Sequence, residues 1–191
     1  MERMDTLSRD ALPLRTSSEI VRFWRDSGPD RWFAKDDAFD ARFRAHCLPL
    51  YEAAARGELK AWQTDPEGAL ALVLLLDQFP RNCFRGEARM FATDAAARAV
   101  ATAAIDAGHD RAVAPDLRVF FYLPFEHSED LADQDRSVAL AAPLSAEYLS
   151  YAELHRDIIR RFGRFPHRNA VLGRTTTAEE QRFLDEGGFA G

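Results

Sequence analysis

Two cysteines in 191 residues, with no CxxC pair, leave no framework for a zinc site or a disulfide scaffold. Cys47 and Cys83 instead read as small buried apolar groups. Long apolar runs are missing too. The longest, Ala69 to Leu76, has eight residues, where a membrane-spanning helix needs about 20. The first residues, MERMDTLSRD, lack the apolar core of a secretory signal, so a cytoplasmic location is expected. There is no basic excess. The net charge is −6, which argues against a general nucleic-acid partner, because phosphates require a positive surface. Strand-like alternation of apolar and polar residues is also absent. What is present is an ordinary globular balance, 47% hydrophobic and 29% charged. The length suits a single domain, residues 1–191, with a core from about 17 to 185.

The apolar residues repeat at helical spacing throughout. A first helix is expected with Ser17 or Ser18 as cap and Ile20, Phe23 and Trp24 on one face, ended by Gly28-Pro29. A second carries Phe39, Phe43, Cys47, Leu50 and Ala54; Pro49 is expected to kink or split it and Gly57 to cap its end. TDPEGALALVLLLDQF begins with Thr64 or Asp65 as cap and Pro66 in the first turn, and its all-apolar middle marks a helix buried on every side. Pro80 is expected to turn the chain. Residues 87–107 read as an Ala-rich helix closed by Gly108. A short helix, a break at Pro124 and a further helix from about Ser128 follow. Glu147 to Gly163 is another, and Thr177 to Leu184 the last, capped by Thr177 with Glu180 three residues on. The expected class is all-α: about eight helices in antiparallel pairs, similar to a tetratricopeptide superhelix but without its repeat signature.

Two stretches echo each other: DQFPRNCFRG, Asp77 to Gly86, and GRFPHRNAVLGR, Gly163 to Arg174. Both run Phe-Pro, then Arg-Asn, then Gly four residues after the Asn. The expectation is that both phrases end helices and turn polar side chains into one shared pocket. Asp77 and Gln78 follow the buried run, so a carboxylate there needs a partner. Arg81 supplies it if the helix continues, and an Arg from elsewhere if Pro80 turns the chain. FEHSEDLADQDR gathers Glu126, Glu129, Asp130, Asp133 and Asp135 around His127, with Gln134 on the face of Asp130. ELHRDIIRRFGRFPHRNAVLGR holds six Arg and no Lys against one Glu and one Asp. The plainest account is that these clusters neutralise each other across a helix interface, with Asp157 able to pair with Arg161. The alternative is a surplus of donors, since guanidinium groups offer a planar fork to carboxylate or phosphate.

Two function classes follow. One is a binding protein for a small anionic molecule or a peptide carboxylate. Its site would draw on Asp77, Gln78, Arg81 and Asn82 from the first phrase and on Gln134. The Arg-rich span would add Arg156, Arg160, Arg164, His167, Arg168, Asn169 and Arg174, and Phe79, Phe165 and Trp32 would wall the site. The other is an enzyme, a hydrolase or transferase acting on an anionic substrate. His127 and Glu129 would form its acid–base pair, with His155 as a further proton carrier. Ser128 lacks the Gly-x-Ser-x-Gly surround of a hydrolase nucleophile. A metal centre of Glu126 or Glu129 with His127, His155 and His167 has no HExxH spacing, and neighbouring Arg groups oppose a cation. Neither a metal nor a cofactor is expected.

LALVLLLDQFPRN, FYLPFEHSEDLADQDRSV and HRDIIRRFGRFPHRNAVLGR closely resemble the signature blocks of the bacterial domain-of-unknown-function family numbered 924. Phe23-Trp24, Trp32-Phe33 and AARGELKAW are similar to it as well. The resemblance runs from about Glu19 to Leu184 and loosens at the closing EGGFAG. It implies a bacterial source and a helical fold similar to tetratricopeptide proteins. It implies no particular activity.

Overall fold

A computed structural model describes residues 13–189. The first helix, α1 (Ser17–Ser27), is capped one residue earlier than expected, by Thr16. The Thr16 hydroxyl accepts from the Glu19 amide at 3.2 Å, and Glu19 Oε2 accepts from the Thr16 amide at 3.0 Å. This exchange satisfies two amides that a helix start leaves open. A short α2 (Pro29–Trp32) follows. The next helix, α3 (Asp37–Ala55), passes through Pro49 without splitting. A proline inside a helix leaves a carbonyl one turn back without its amide; nearby, the His46 carbonyl accepts from the Leu14 amide at 2.9 Å. Gly57 closes α3 as read, donating to the Ala54 carbonyl at 2.9 Å.

The buried run forms α4 (Pro66–Val73), with Asp65 as cap. The turn expected at Pro80 does not occur. The chain widens into a π-helical segment, Leu74–Gln78, and continues as α5 (Phe79–Cys83). The Phe79 amide reaches the Leu74 carbonyl, five residues back. Pro80 has no amide to offer the Leu76 carbonyl, and the Thr93 hydroxyl takes its place at 2.6 Å. A π-turn and one outside hydroxyl thus carry the helix through a residue that normally stops it.

The helix expected over 87–107 starts late. Ala88–Phe91 is a short 3₁₀ turn, and α6 (Asp94–Asp106) begins only after Thr93 and Asp94 have turned their side chains toward Leu76 and Arg81. After a 3₁₀ stretch, Pro115–Phe121, comes α7 (Leu123–Glu126), with Pro124 inside its first turn. The following helix, α8 (Leu131–Ala141), is capped by Asp130 instead of Ser128. The Ser128 hydroxyl accepts from the Asp130 amide at 3.2 Å and donates to Asp133 at 2.6 Å. The last two, α9 (Ala146–Phe162) and α10 (Ala178–Asp185), form as read. Gly163, at φ 68°, ends α9, and a Thr177–Glu180 capping box opens α10. No strand occurs among the described residues, so the fold is all-α. No helix among them is long and apolar enough to cross a membrane.

Packing divides the chain into two compact units. Among the described residues, one holds 13–85 together with Arg89–Phe121; the other holds Gly86–Ala88 and 122–189. The first is built on aromatic rings: Trp24, Phe39, Phe43, Phe79, Phe84 and Phe120 are all nearly or fully inaccessible. Phe43 meets Phe79 edge-on at 5.1 Å, and Trp24 meets Phe120 edge-on at 5.3 Å. At the start of α4, a Cβ on Gly68 would collide with the Trp62 carbonyl oxygen. The backbone approaches there because position 68 has no side chain. The second unit packs Ile158, Ile159 and Phe165 with the partly buried Phe162, Phe183 and Phe189.

Candidate functional site

The first Phe-Pro phrase anchors the first unit. Asp77 is fully buried in the π-helical segment. Its Oδ2 accepts from the Gln78 side-chain amide at 2.7 Å, and its Oδ1 lies 3.1 Å from Arg81 Nη1. The partner is therefore Arg81, four residues on, because the helix continues through Pro80. Arg81 also donates to both oxygens of Asp94, at 2.9 and 3.1 Å. Next to it, Asn82 donates to Asp40 Oδ1 at 2.7 Å, and Arg85 to Asp40 Oδ2 at 3.1 Å. Three carboxylates thus face two guanidinium groups. Asp40 and Asp94 escaped the sequence reading because acids in the first turn of a helix are ordinary. Nothing in their spacing pointed to Arg85 or Arg81.

The second phrase is held by two carboxylates of the second unit. Glu129 accepts from Arg174 at 2.7 and 3.0 Å and from the Phe165 amide at 2.8 Å. Burial alone would raise its pKa, but the Arg174 hydrogen bonds, that amide and the charges of Arg174 and Arg168 hold it below the usual carboxylate range. Glu180 accepts from Arg164 at 2.6 and 2.8 Å, from Asn169 at 3.2 Å and from the Thr177 amide at 2.7 Å. The Arg164 hydrogen bonds lead, and they hold its pKa down to about 2 against the effect of burial. The two phrases therefore share a physical pattern. In each, the Phe is fully buried, the Asn donates to a carboxylate, and the Gly has positive φ: 79° at Gly86 and 66° at Gly173.

The remaining arginines of the basic span are also engaged. Arg160 meets Asp135 at 3.1 Å and Asp157 at 3.6 Å, and Arg156 lies 3.6 Å from Asp157 and 3.8 Å from Glu153. Arg161 pairs with Glu179 at 3.0 Å, not with Asp157. The plainer account, mutual neutralisation, describes these contacts, and a surplus of bare cations does not. Of the wall residues, Phe79 and Trp32 pack inside the first unit's aromatic core, where Trp32 donates to the Trp24 carbonyl at 2.8 Å.

One cluster of the second unit has a different character. His155, on α9, is 6% exposed. Its Nδ1 lies 2.8 Å from the Tyr151 carbonyl and 3.3 Å from Glu126 Oε1. A carbonyl only accepts, so Nδ1 carries the proton and Nε2 the lone pair. Burial pushes the imidazole down to about 4, and electrostatic repulsion from His127, Arg168 and His167 opposes its protonation further, against the favourable Tyr151 contact. His155 is therefore neutral at pH 7. Arg168 is buried, stacks on Phe165 at 4.4 Å and donates to the His127 carbonyl at 2.9 Å. His167 sits 5.7 Å from the Phe165 ring and 5.3 Å from Phe189. Gln134, also fully buried, donates to the Glu126 and Ser128 carbonyls at 2.7 and 2.6 Å, which fixes the chain on either side of His127. From the sequence, His127 and Glu129 are expected to form an acid–base pair. The structure engages Glu129 with Arg174 and Phe165 and sets Glu126 beside His155. No group of three or more His, Cys, Asp or Glu among the described residues is arranged to hold a metal ion.

Comparison with known families matches residues 20–188 to the family described as bacterial protein of unknown function, DUF924. Among solved structures, the chain is similar to the protein of unknown function ATU0120 from Agrobacterium tumefaciens. The two are 58% identical with a TM-score of 0.88, over 90% of this chain and 97% of that one. Comparison with curated proteins gave no match. The family profile spans most of the chain and includes both Phe-Pro phrases and the histidine cluster, so the protein belongs to the bacterial DUF924 family.

Proposed function

We propose that the protein binds a small anionic molecule, of the phosphate or phosphomonoester class, at the histidine–arginine cluster of its second unit. One observation carries this reading: His155, His167 and the buried Arg168 guanidinium gather around Phe165, and Arg168 also holds the His127 carbonyl. Arg168 and the ring N–H of His127 or His167 are donors to anionic oxygens. Neutral His155 brings an acceptor, its Nε2 lone pair. A phosphate carrying both O⁻ and OH matches donors and acceptor together, whereas a carboxylate or sulfate lacks the hydroxyl. Thermal denaturation with inorganic phosphate, sulfate and acetate tests this. Phosphate at a hundred times its Kd is expected to stabilise the protein by about 2.7 kcal/mol, with sulfate and acetate weaker and Arg168→Gln unresponsive. Equal response to all three anions, or an undiminished response in Arg168→Gln, would defeat the reading.

The tautomer of His155 favours a second reading, a phosphate-ester hydrolase or transferase at the same cluster. An imidazole held by Tyr151 through Nδ1–H and neutral at pH 7 presents Nε2 as a general base. His155→Gln is then expected to abolish turnover of a phosphomonoester while phosphate still binds.

A further inference from the structure

A concavity of about 330 Å³ lies in the first unit, away from both Phe-Pro phrases in sequence. Its floor is Val21, Leu70 and Leu117, each at most 2% exposed, and residues 112–114 wall it. Arg25 of α1 stands on its lining, with Asp65 and Glu67 from the start of α4. The volume is at the small end of the range for ligand sites.

The charges belong to two helices, Arg25 to α1 and Asp65 and Glu67 to the start of α4. Glu67 Oε2 accepts from the Ser18 hydroxyl at 2.6 Å, which ties the acidic end to the first turn of α1. Ser18, Val21 and Arg25 follow at intervals of three and four, so they share one face of that helix. Seven residues of helix rise place Arg25 about 10 Å further along than Ser18. Over that span Arg25 makes no ion pair with Glu67 or Asp65, and its side chain has no hydrogen-bond or ionic partner among the described residues. An exposed guanidinium that shares an apolar groove with Asp65 and Glu67 but pairs with neither is complementary to a molecule carrying both charges.

We propose that this groove binds an elongated zwitterion: an ammonium group at Glu67 and Asp65, a carboxylate on the Arg25 fork, and an aliphatic spacer over Val21, Leu70 and Leu117. Short aliphatic peptides and ω-amino acids share this chemistry. The spacing disfavours an ordinary α-amino acid, whose two charges lie on adjacent carbons. The site is separate from the histidine–arginine cluster, and its ligand carries both signs of charge.

Isothermal titration with 6-aminohexanoate and with the dipeptide Ala-Leu tests the proposal, using hexylamine and hexanoate as half-molecules. At least one zwitterion is expected to bind about tenfold or more tightly than either half-molecule. Arg25→Gln should lose that tenfold while keeping the wild-type melting temperature, since Arg25 holds no side-chain partner among the described residues, and Arg25→Lys should recover part of it. Preference for 6-aminohexanoate over Ala-Leu would assign ω-amino acids, and the reverse short peptides. Binding of neither zwitterion overturns the proposal. So does hexylamine binding as well as the zwitterions, or binding unchanged in Arg25→Gln. Arg168→Gln is expected to leave this titration unaltered, which keeps the outcome independent of the phosphate reading.

Discussion

Replacing Arg81 by Met is expected to destabilise the protein by about 3–5 kcal/mol, the range for removing one partner of a buried ion pair. The Met side chain has a similar reach but no donors. Arg81 is 14% exposed and contacts a fully buried Asp77 and an Asp94 that is 12% exposed. Without the guanidinium, two carboxylates remain in a poorly solvated site with like charges adjacent. The loss corresponds to a fall in melting temperature of roughly 6–20 °C for a chain of this size. Arg81→Lys should be milder, because a charge remains but the two-pronged contact with Asp94 is lost. Adding Asp94→Asn to Arg81→Met should cost less than the sum of the single changes, since the second substitution removes one of the stranded charges. A loss below about 1 kcal/mol for Arg81→Met would mean that the triad is solvated and contributes little.

Glu180→Gln is expected to cost about 3 kcal/mol at neutral pH, the low end for breaking such a pair because Arg164 is 28% exposed. Gln preserves the shape but presents an amide donor to a site already supplied with donors from Arg164, Asn169 and Thr177. The effect depends on pH with a definite sign. The Glu180 pKa in the folded state is about 2, below the ordinary unfolded value of about 4.3. Its contribution is therefore complete above that unfolded value and disappears as the pH falls toward 2. Urea denaturation of wild type and Glu180→Gln at pH 7 and pH 3 should show the gap between them narrowing at the lower pH. A gap that stays constant would assign the effect to altered packing and not to the charge.

The elements that were legible in the sequence were those governed by neighbours in the chain. Helix starts at Asp65 and Thr177 and ends at Gly57 and Gly163 follow from short-range hydrogen bonds and glycine geometry. The buried run Ala69 to Leu76 announced its own burial. The readings that changed depended on groups distant in sequence. Pro80 looked like a stop until the Thr93 hydroxyl answered the carbonyl it leaves open. The helix expected from 87 starts at Asp94 because Thr93 and Asp94 are drawn to the end of the preceding helix. Glu129 looked like the companion of His127, but an Arg 45 positions away has both its oxygens.

By itself the sequence determined an all-helical chain, the placement of most helices, and the two Phe-Pro-Arg-Asn phrases as places where polar side chains gather. Helical periodicity and caps are local properties, so residue order suffices to express them. The tertiary structure decided which acids Arg81, Arg85, Arg164 and Arg174 meet, that His155 is neutral with Nδ1 protonated, and that Arg25, Asp65 and Glu67 line one groove. Ion-pair choice and the protonation of a buried imidazole depend on distance and desolvation, and both arise only when segments remote in sequence are packed together.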